Sequence, residues 1–265
     1  MLDAGPLTRP RGAAWATVPK VCLPAASSPF FESRYLWNNG LPCSRECYAP
    51  LLIGDIHLRR CLLHVSQNIV VKFMNQYLDN SKYIDWMDSD VSTLARELAG
   101  RETNVYQITK SCFEYVRDEI KHSWDHQIDA VTCKASDVLK YKTGFCYAKS
   151  HLLAALLRAN GIHAGLCYQR LTIANDAPPF CLHGLNAVLL PDIGWYRLDA
   201  RGNKPGVSAA FDPPHERLAF PIVVPGEADL PEIWSSPLQC IIDILETSKG
   251  YKDVADNLPD VQLFG

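Results

Sequence analysis

The stretch KTGFCYAKSHLLAALLRANGI, residues 142–162, decides the fold. Leu152, Leu153, Ala154, Ala155, Leu156, Leu157 and Ala159 form an almost unbroken run of strong helix formers, which predicts a helix from about Cys146 to Asn160. A helix that is apolar on most of its sides belongs in a core, so this one is expected to be central and buried. Asn160-Gly161 supplies its left-handed stop, and Gly144 permits a tight entry two residues before Cys146.

Downstream, the period changes from helical to extended. His163 to Thr172, His183 to Leu190 and Trp195 to Ala200 are short runs with β-branched and aromatic content, separated by Asn175-Asp176-Ala177-Pro178-Pro179 and Pro191-Asp192-Ile193-Gly194. The last two runs are expected to form an antiparallel hairpin. Upstream, Leu94, Leu98 and Ala99 mark a short helix stopped at Gly100. A longer one opens with Thr103 as its cap and carries Val105, Ile108, Cys112, Tyr115, Val116 and Ile120 at helical spacing. Helices followed by strands, without regular alternation, give an α+β class with the central helix packed on an antiparallel sheet.

The first residue of the central helix is a cysteine. Unpaired N–H groups and the positive end of the helix dipole stabilise a thiolate there, and the same N–H groups can hold the oxyanion of a tetrahedral intermediate. A thiol nucleophile needs a base, and the base needs an orienting carboxylate. His183 starts one strand and Asp199 ends the next, so the two can supply these roles. Side-chain alternation sets a condition: a strict four-residue turn at 191–194 would put His183 and Asp199 on opposite faces, whereas an odd connection or a bulge puts them on the same face. Taken singly, each residue has a blander reading, as a packed small hydrophobe, a hydrogen-bonded surface histidine and a turn former. His151, five residues after Cys146, does not face it, and His163 follows the helix stop as a structural residue.

Ala135-Ser136-Asp137-Val138-Leu139 followed by 142–162 resembles the catalytic helix of the transglutaminase-like superfamily, in its bacterial-type cysteine peptidase form. His183, Gly194-Trp195 and Asp199 stand in that family's order and spacing, and the likeness spans roughly residues 100 to 205. The resemblance implies a papain-like α+β core with a Cys146-His183-Asp199 triad. It also implies acyl transfer through a thioester on a peptide or protein amide, resolved by water in a peptidase or amidase and by an amine in a transglutaminase. Hydrolysis is the expected course, because no calcium-loop pattern is present to regulate cross-linking. Two features depart from the family pattern. Gly184-Leu185 follow His183 where a small residue and a Trp are common, and the aromatic that helps the oxyanion hole has only His122 and Trp124 near its place, of which Trp124 is the nominee. The departure after His183 supports an alternative, a catalytically silent peptide-binding or scaffold module on the same fold.

The flanks read differently. Residues 1–70 are expected to be a poorly ordered extension: up to about residue 60 they hold seven prolines, seven Lys or Arg against four acids, and no sustained period. The biological start is accordingly expected downstream of Met1. Residues 71–221 are the expected catalytic domain, and 222–265 an acidic tail with one short helix across Leu238 to Leu245. With 48% hydrophobic residues and a formal charge of −3, the 265-residue chain has a full core and no basic field for nucleic acid or anionic membranes. No apolar run is long enough to span a bilayer, and no secretory pattern opens the chain, so the cytoplasm is the expected location. The ten cysteines are read as mostly reduced. Cys43/Cys47 lacks the spacing of a structural zinc site, and His122/His126, though four apart and able to share a helix face, has Ser123 where the zincin motif puts its catalytic Glu, so the histidine pair is expected to be solvated. Neither metal nor cofactor is implied, and the oligomeric state is left open.

Overall fold

The computed structural model describes residues 74–173 and 177–261. The extension expected over 1–70 lies outside the described residues. The first long element is helix α1, Ser89–Ala99, whose start is fixed by the Asp88 carboxylate accepting from the N–H groups of Asp90 and Val91. It stops at Gly100, where φ is +58°. Helix α2, Val105–Glu119, is capped by Asn104, which accepts from Tyr106 N–H, one residue beyond the expected Thr103. A two-residue strand, β1 (Lys121–His122), then pairs in parallel with β2 (Thr143–Gly144). Between them lie the short helices α3, Ser123–His126, and α4, Ala135–Tyr141.

Helix α5, Cys146–Ala159, begins and ends within a residue of the expected bounds, and every residue from Cys146 to Arg158 is buried. Its leucines join one apolar cluster with Val91 and Ala95 of α1 and with Cys112, Phe113 and Val116 of α2. A helix surrounded on all sides must also satisfy its polar side chains internally. Arg158 donates to the carbonyls of Ala164, Asp79 and Ser235, His151 Nδ1 lies 2.7 Å from the Cys133 carbonyl, and Ser150 Oγ donates to Cys146 O. Burial pushes the His151 pKa down to about 4, so this ring is a neutral strut.

Strands β3 (Ala164–Thr172), β4 (Phe180–Leu190), β5 (Gly194–Leu198) and β8 (Ala228–Asp229) form one sheet in the order β5-β4-β3-β8, with all three pairings antiparallel. A separate hairpin joins β6, Ala210–Asp212, to β7, His215–Arg217. Gly184, Asn186 and Val188 of β4 face α5: a Cβ on Gly184 would meet Tyr147, and Asn186 Nδ2 donates to Ser150 O. On the opposite face Leu185 and Ala187 pack with Cys167. Helix and antiparallel sheet together make an α+β core, with the central helix packed on one face of the sheet.

The segment after Phe220 contains more structure than an acidic tail with one helix. Helix α6, Gln239–Thr247, is followed by α7, Tyr251–Asp256, and Ile241, Leu245, Tyr251 and Val254 belong to the same apolar cluster as the α5 leucines. The acids counted along this stretch include Asp243, Glu246 and Asp256, which are exposed. Their number hid an apolar face at helical spacing. Among the described residues, no helix is long and apolar enough to cross a membrane.

Candidate active site

Cys146 is the first residue of α5, with Phe145 in the N-cap position and no side chain capping the helix. The N–H groups of the first turn therefore remain directed outwards at the sulfur's end of the helix. On the sheet side, Gly184 N–H points at Cys146 Sγ from 3.4 Å. This contact requires helix and strand to touch: a Cβ on Gly184 would lie 2.9 Å from Tyr147 Cδ1 and 3.1 Å from its Cα. The Tyr147 hydroxyl, from the next residue of the helix, donates to Leu182 O and binds the same two elements.

The odd connection required by the strand geometry is present. Leu190 pairs with Gly194, so Pro191, Asp192 and Ile193 make a three-residue turn, with Asp192 at φ +62° and Gly194 at φ +84°. His183 and Asp199 consequently share a face, and His183 Nε2 lies 2.7 Å from Asp199 Oδ2. With Nε2 committed to the carboxylate, Nδ1 is the nitrogen left to face the Cys146 thiol, whose proximity acts to raise the imidazole pKa. All three residues are nearly closed off from solvent, at 8%, 5% and 0% exposure for Cys146, His183 and Asp199.

Charge governs the protonation of the group. Burial acts to lower the His183 pKa, but the negative charges of Asp199 and Cys146 and the hydrogen bond to Asp199 outweigh it, and the imidazole is raised to about 10. Burial acts to raise Asp199. The His183 charge, its hydrogen bond and the backbone N–H groups of Arg201 and Ala219, at 3.0 and 3.1 Å, hold it below the ordinary carboxylate range instead.

Several neighbours of this group carry no sequence signal. Phe220 sets its ring edge-on to the His183 imidazole, with centroids 5.1 Å apart, and so supplies the aromatic neighbour that Leu185 does not. Leu185 lies in the small cluster on the far side of the sheet. Phe220 and Ala219 come from an irregular, proline-bearing stretch with no periodicity to mark them. Arg201 forms a fork on Asp125 at 2.6 and 3.1 Å, which Lys204 also reaches at 2.6 Å, and this ties α3 to the loop after Asp199. Lys149, one turn after Cys146, donates to the carbonyls of Arg117 and Ile120 at the end of α2. Burial, reinforced by the Arg201 charge, lowers its pKa to about 7.

Trp124, the nominee for the oxyanion, packs on the core with its ring 5.8 Å from that of Tyr251. The hydrogen-bond donor found beside the sulfur is the backbone of Gly184. His122 departs from its expected solvated pairing with His126: it is buried, its ring lies 5.5 Å from Phe145, and only His126 is exposed. The cause is local, since β1 draws residue 122 inwards against Gly144 before α3 turns His126 out.

The family model described as the transglutaminase-like superfamily matches residues 92–200, which run from α1 to just past Asp199. No curated protein matches the chain. Among solved structures, a candidate cysteine protease from Cytophaga hutchinsonii is similar at 21% identity and a TM-score of 0.40, over 48% of this chain and 42% of that one. The periplasmic domain of TgpA from Pseudomonas aeruginosa is similar at 20% identity and a TM-score of 0.37, over 47% and 45%. The chain thus spans less than half the length of either. Over residues 92–200 this chain is similar to the transglutaminase-like superfamily.

Proposed function

We propose that this protein is a cysteine-dependent acyl-transfer enzyme acting on peptide or protein amides, with Cys146 as nucleophile, His183 as acid and base, and Asp199 as the group that orients the imidazole. The observation that carries the reading is one constellation: the thiol at a helix N-terminus, the imidazole close enough to feel it, and the buried carboxylate 2.7 Å behind the imidazole. The raised His183 pKa supports a ring that keeps its proton for delivery to the leaving amine.

In the first step Cys146 sulfur attacks the amide carbon, and the electron pair of the C=O bond moves to oxygen. Helix α5 presents its first-turn N–H groups to that oxyanion. As the tetrahedral intermediate collapses, the C–N bond breaks and His183 Nδ1 gives its proton to the leaving amine, which leaves a thioester on Cys146. Water then attacks the thioester carbon while His183 takes its proton. Collapse releases the carboxylic acid and restores the thiolate-imidazolium pair. An amine in place of water gives transamidation by the same steps.

The hydrolytic course is tested with glutamine-containing peptides by following ammonia and new carboxylate together with incorporation of a labelled primary amine. Product carboxylate without amine incorporation, lost in Cys146→Ala, is expected. Dominant amine incorporation overturns hydrolysis. Full activity in Cys146→Ala overturns the nucleophile.

A further inference from the structure

The register of β4 leaves one of its edges open beside the reacting groups. Ladder pairing with β5 begins at Asn186-Leu198 and runs to Leu190-Gly194. Towards the start of β4, the N–H groups that continue this edge belong to Gly184 and Leu182, because alternate residues of a strand direct their N–H groups to the same side. Gly184 N–H is directed at Cys146 Sγ. Leu182 N–H donates at 2.7 Å to the carbonyl of Pro259. A piece of this chain's own backbone therefore lies on the β4 edge, about two residues, or roughly 7 Å along the strand, from the N–H aimed at the nucleophile.

The residue after Pro259 is held by a receptor built independently of it. Arg170, whose strand partner is Leu182, stacks its guanidinium 3.8 Å above the Phe180 ring and donates through Nη1 to Gly226 O at 2.7 Å. This leaves Nε and Nη2 as a fork, and both carboxylate oxygens of Asp260 fill it, at 2.6 and 2.7 Å. A guanidinium fixed from two sides and presenting two parallel N–H groups recognises a carboxylate. Leu258 and Val261, on either side, pack on the core.

We propose that the β4 edge at Leu182 and the Arg170 fork form the docking site for an extended polypeptide substrate bearing an acidic side chain close to the bond cleaved, and that Leu258–Val261 occupies this site as an internal competitor. This assignment rests on the acyl-transfer reading above. Backbone pairing at Leu182 supplies binding by strand addition, and Arg170 supplies selectivity for an acidic residue. A substrate must displace Asp260 to enter.

The test uses the full chain and alkylation of Cys146 by iodoacetamide, followed by peptide mapping. Asp260→Arg removes the carboxylate and repels Arg170, and is expected to speed Cys146 alkylation roughly fivefold, the scale of one well-formed surface ion pair. The exchange Arg170→Asp with Asp260→Arg is expected to return the rate to that of the unaltered protein. In Asp260→Arg, the added peptide acetyl-Asn-Leu-Pro-Asp-Val-amide is expected to slow labelling, and its Asp→Asn analogue to leave it unchanged. An unchanged rate in Asp260→Arg, or equal protection by the two peptides, overturns the proposal. His183→Ala separates the two readings. Labelling indifferent to His183 contradicts the acyl-transfer chemistry, whereas labelling that depends on His183 but ignores Asp260 contradicts only the docking site.

Discussion

His183 and Gly184 are neighbours in sequence that act through different physics. The imidazole holds its proton up to about pH 10 because two negative partners outweigh its burial. Replacing Asp199 by Asn removes one of them, so the alkaline limb of a kcat/KM profile is expected to move from near 10 towards the ordinary imidazole range, with kcat lowered about 10²- to 10⁴-fold. A pH profile whose limb stays in place in Asp199→Asn contradicts the assignment of that carboxylate. Gly184 acts through absence of a side chain. An alanine there would place its Cβ 2.9 and 3.1 Å from Tyr147 Cδ1 and Cα, and Tyr147 cannot retreat, since its hydroxyl is bonded to Leu182 O. Gly184→Ala is expected to cost about 1–3 kcal/mol in urea unfolding, the usual scale of overpacking, and to slow acylation by moving the N–H now aimed at Sγ.

Among the elements, α5 was the most legible in sequence and carries the largest share of the packing. Truncating one of its fully enclosed leucines, Leu152→Ala, is expected to cost about 2–5 kcal/mol, measured as a lowered urea midpoint at unchanged m. Its bounds could be read because a helix buried on every side has an apolar run with no face to conceal it. The β4–β5 hairpin was legible only to the point of a condition. Alternation says that His183 and Asp199 need an odd connection, and the turn Pro191–Ile193 meets it through left-handed backbone at Asp192 and Gly194. The partners supplied by backbone were illegible, because Gly184 N–H, Ala219 N–H and the carbonyls capped by Lys149 belong to no residue type. Phe220 was illegible for a related reason: an aromatic in an irregular stretch has no period that assigns it to a neighbour. At α6 and α7, charge counting obscured a core-facing stripe that the spacing of Ile241, Leu245, Tyr251 and Val254 makes plain once the helices are known.

At the scale of the whole molecule, two buried cations respond to pH in opposite senses. The folded pKa of His183 is raised, so its contribution is fully present below the unfolded value of about 6.5 and is lost as pH rises through about 10. That of Lys149 is lowered to about 7, against roughly 10.4 unfolded, so the cost of its burial is present below pH 7 and is relieved as pH rises towards 10. Between about pH 7 and 10 the unfolded state binds the lysine proton and the folded state the histidine proton, and the two slopes oppose each other. Urea unfolding of the unaltered protein is therefore expected to vary little from about pH 7 to 8.5, above which the buried thiols Cys112, Cys133 and Cys167, pushed up to about 12, keep protons that the unfolded chain releases and stability falls, while Lys149→Met is expected to lose stability steadily from pH 7 to 10. A flat profile in Lys149→Met contradicts the opposition. The measurement that bears most directly on the central claim is acylation by p-nitrophenyl acetate, followed by stopped-flow release of nitrophenolate and by peptide mapping after an acid quench. The account predicts a burst of nitrophenolate matched by acetyl on Cys146, with the burst absent in Cys146→Ala and strongly slowed in His183→Ala. A burst that persists in Cys146→Ala, or acetyl groups spread over other residues with Cys146 unmodified, would contradict it.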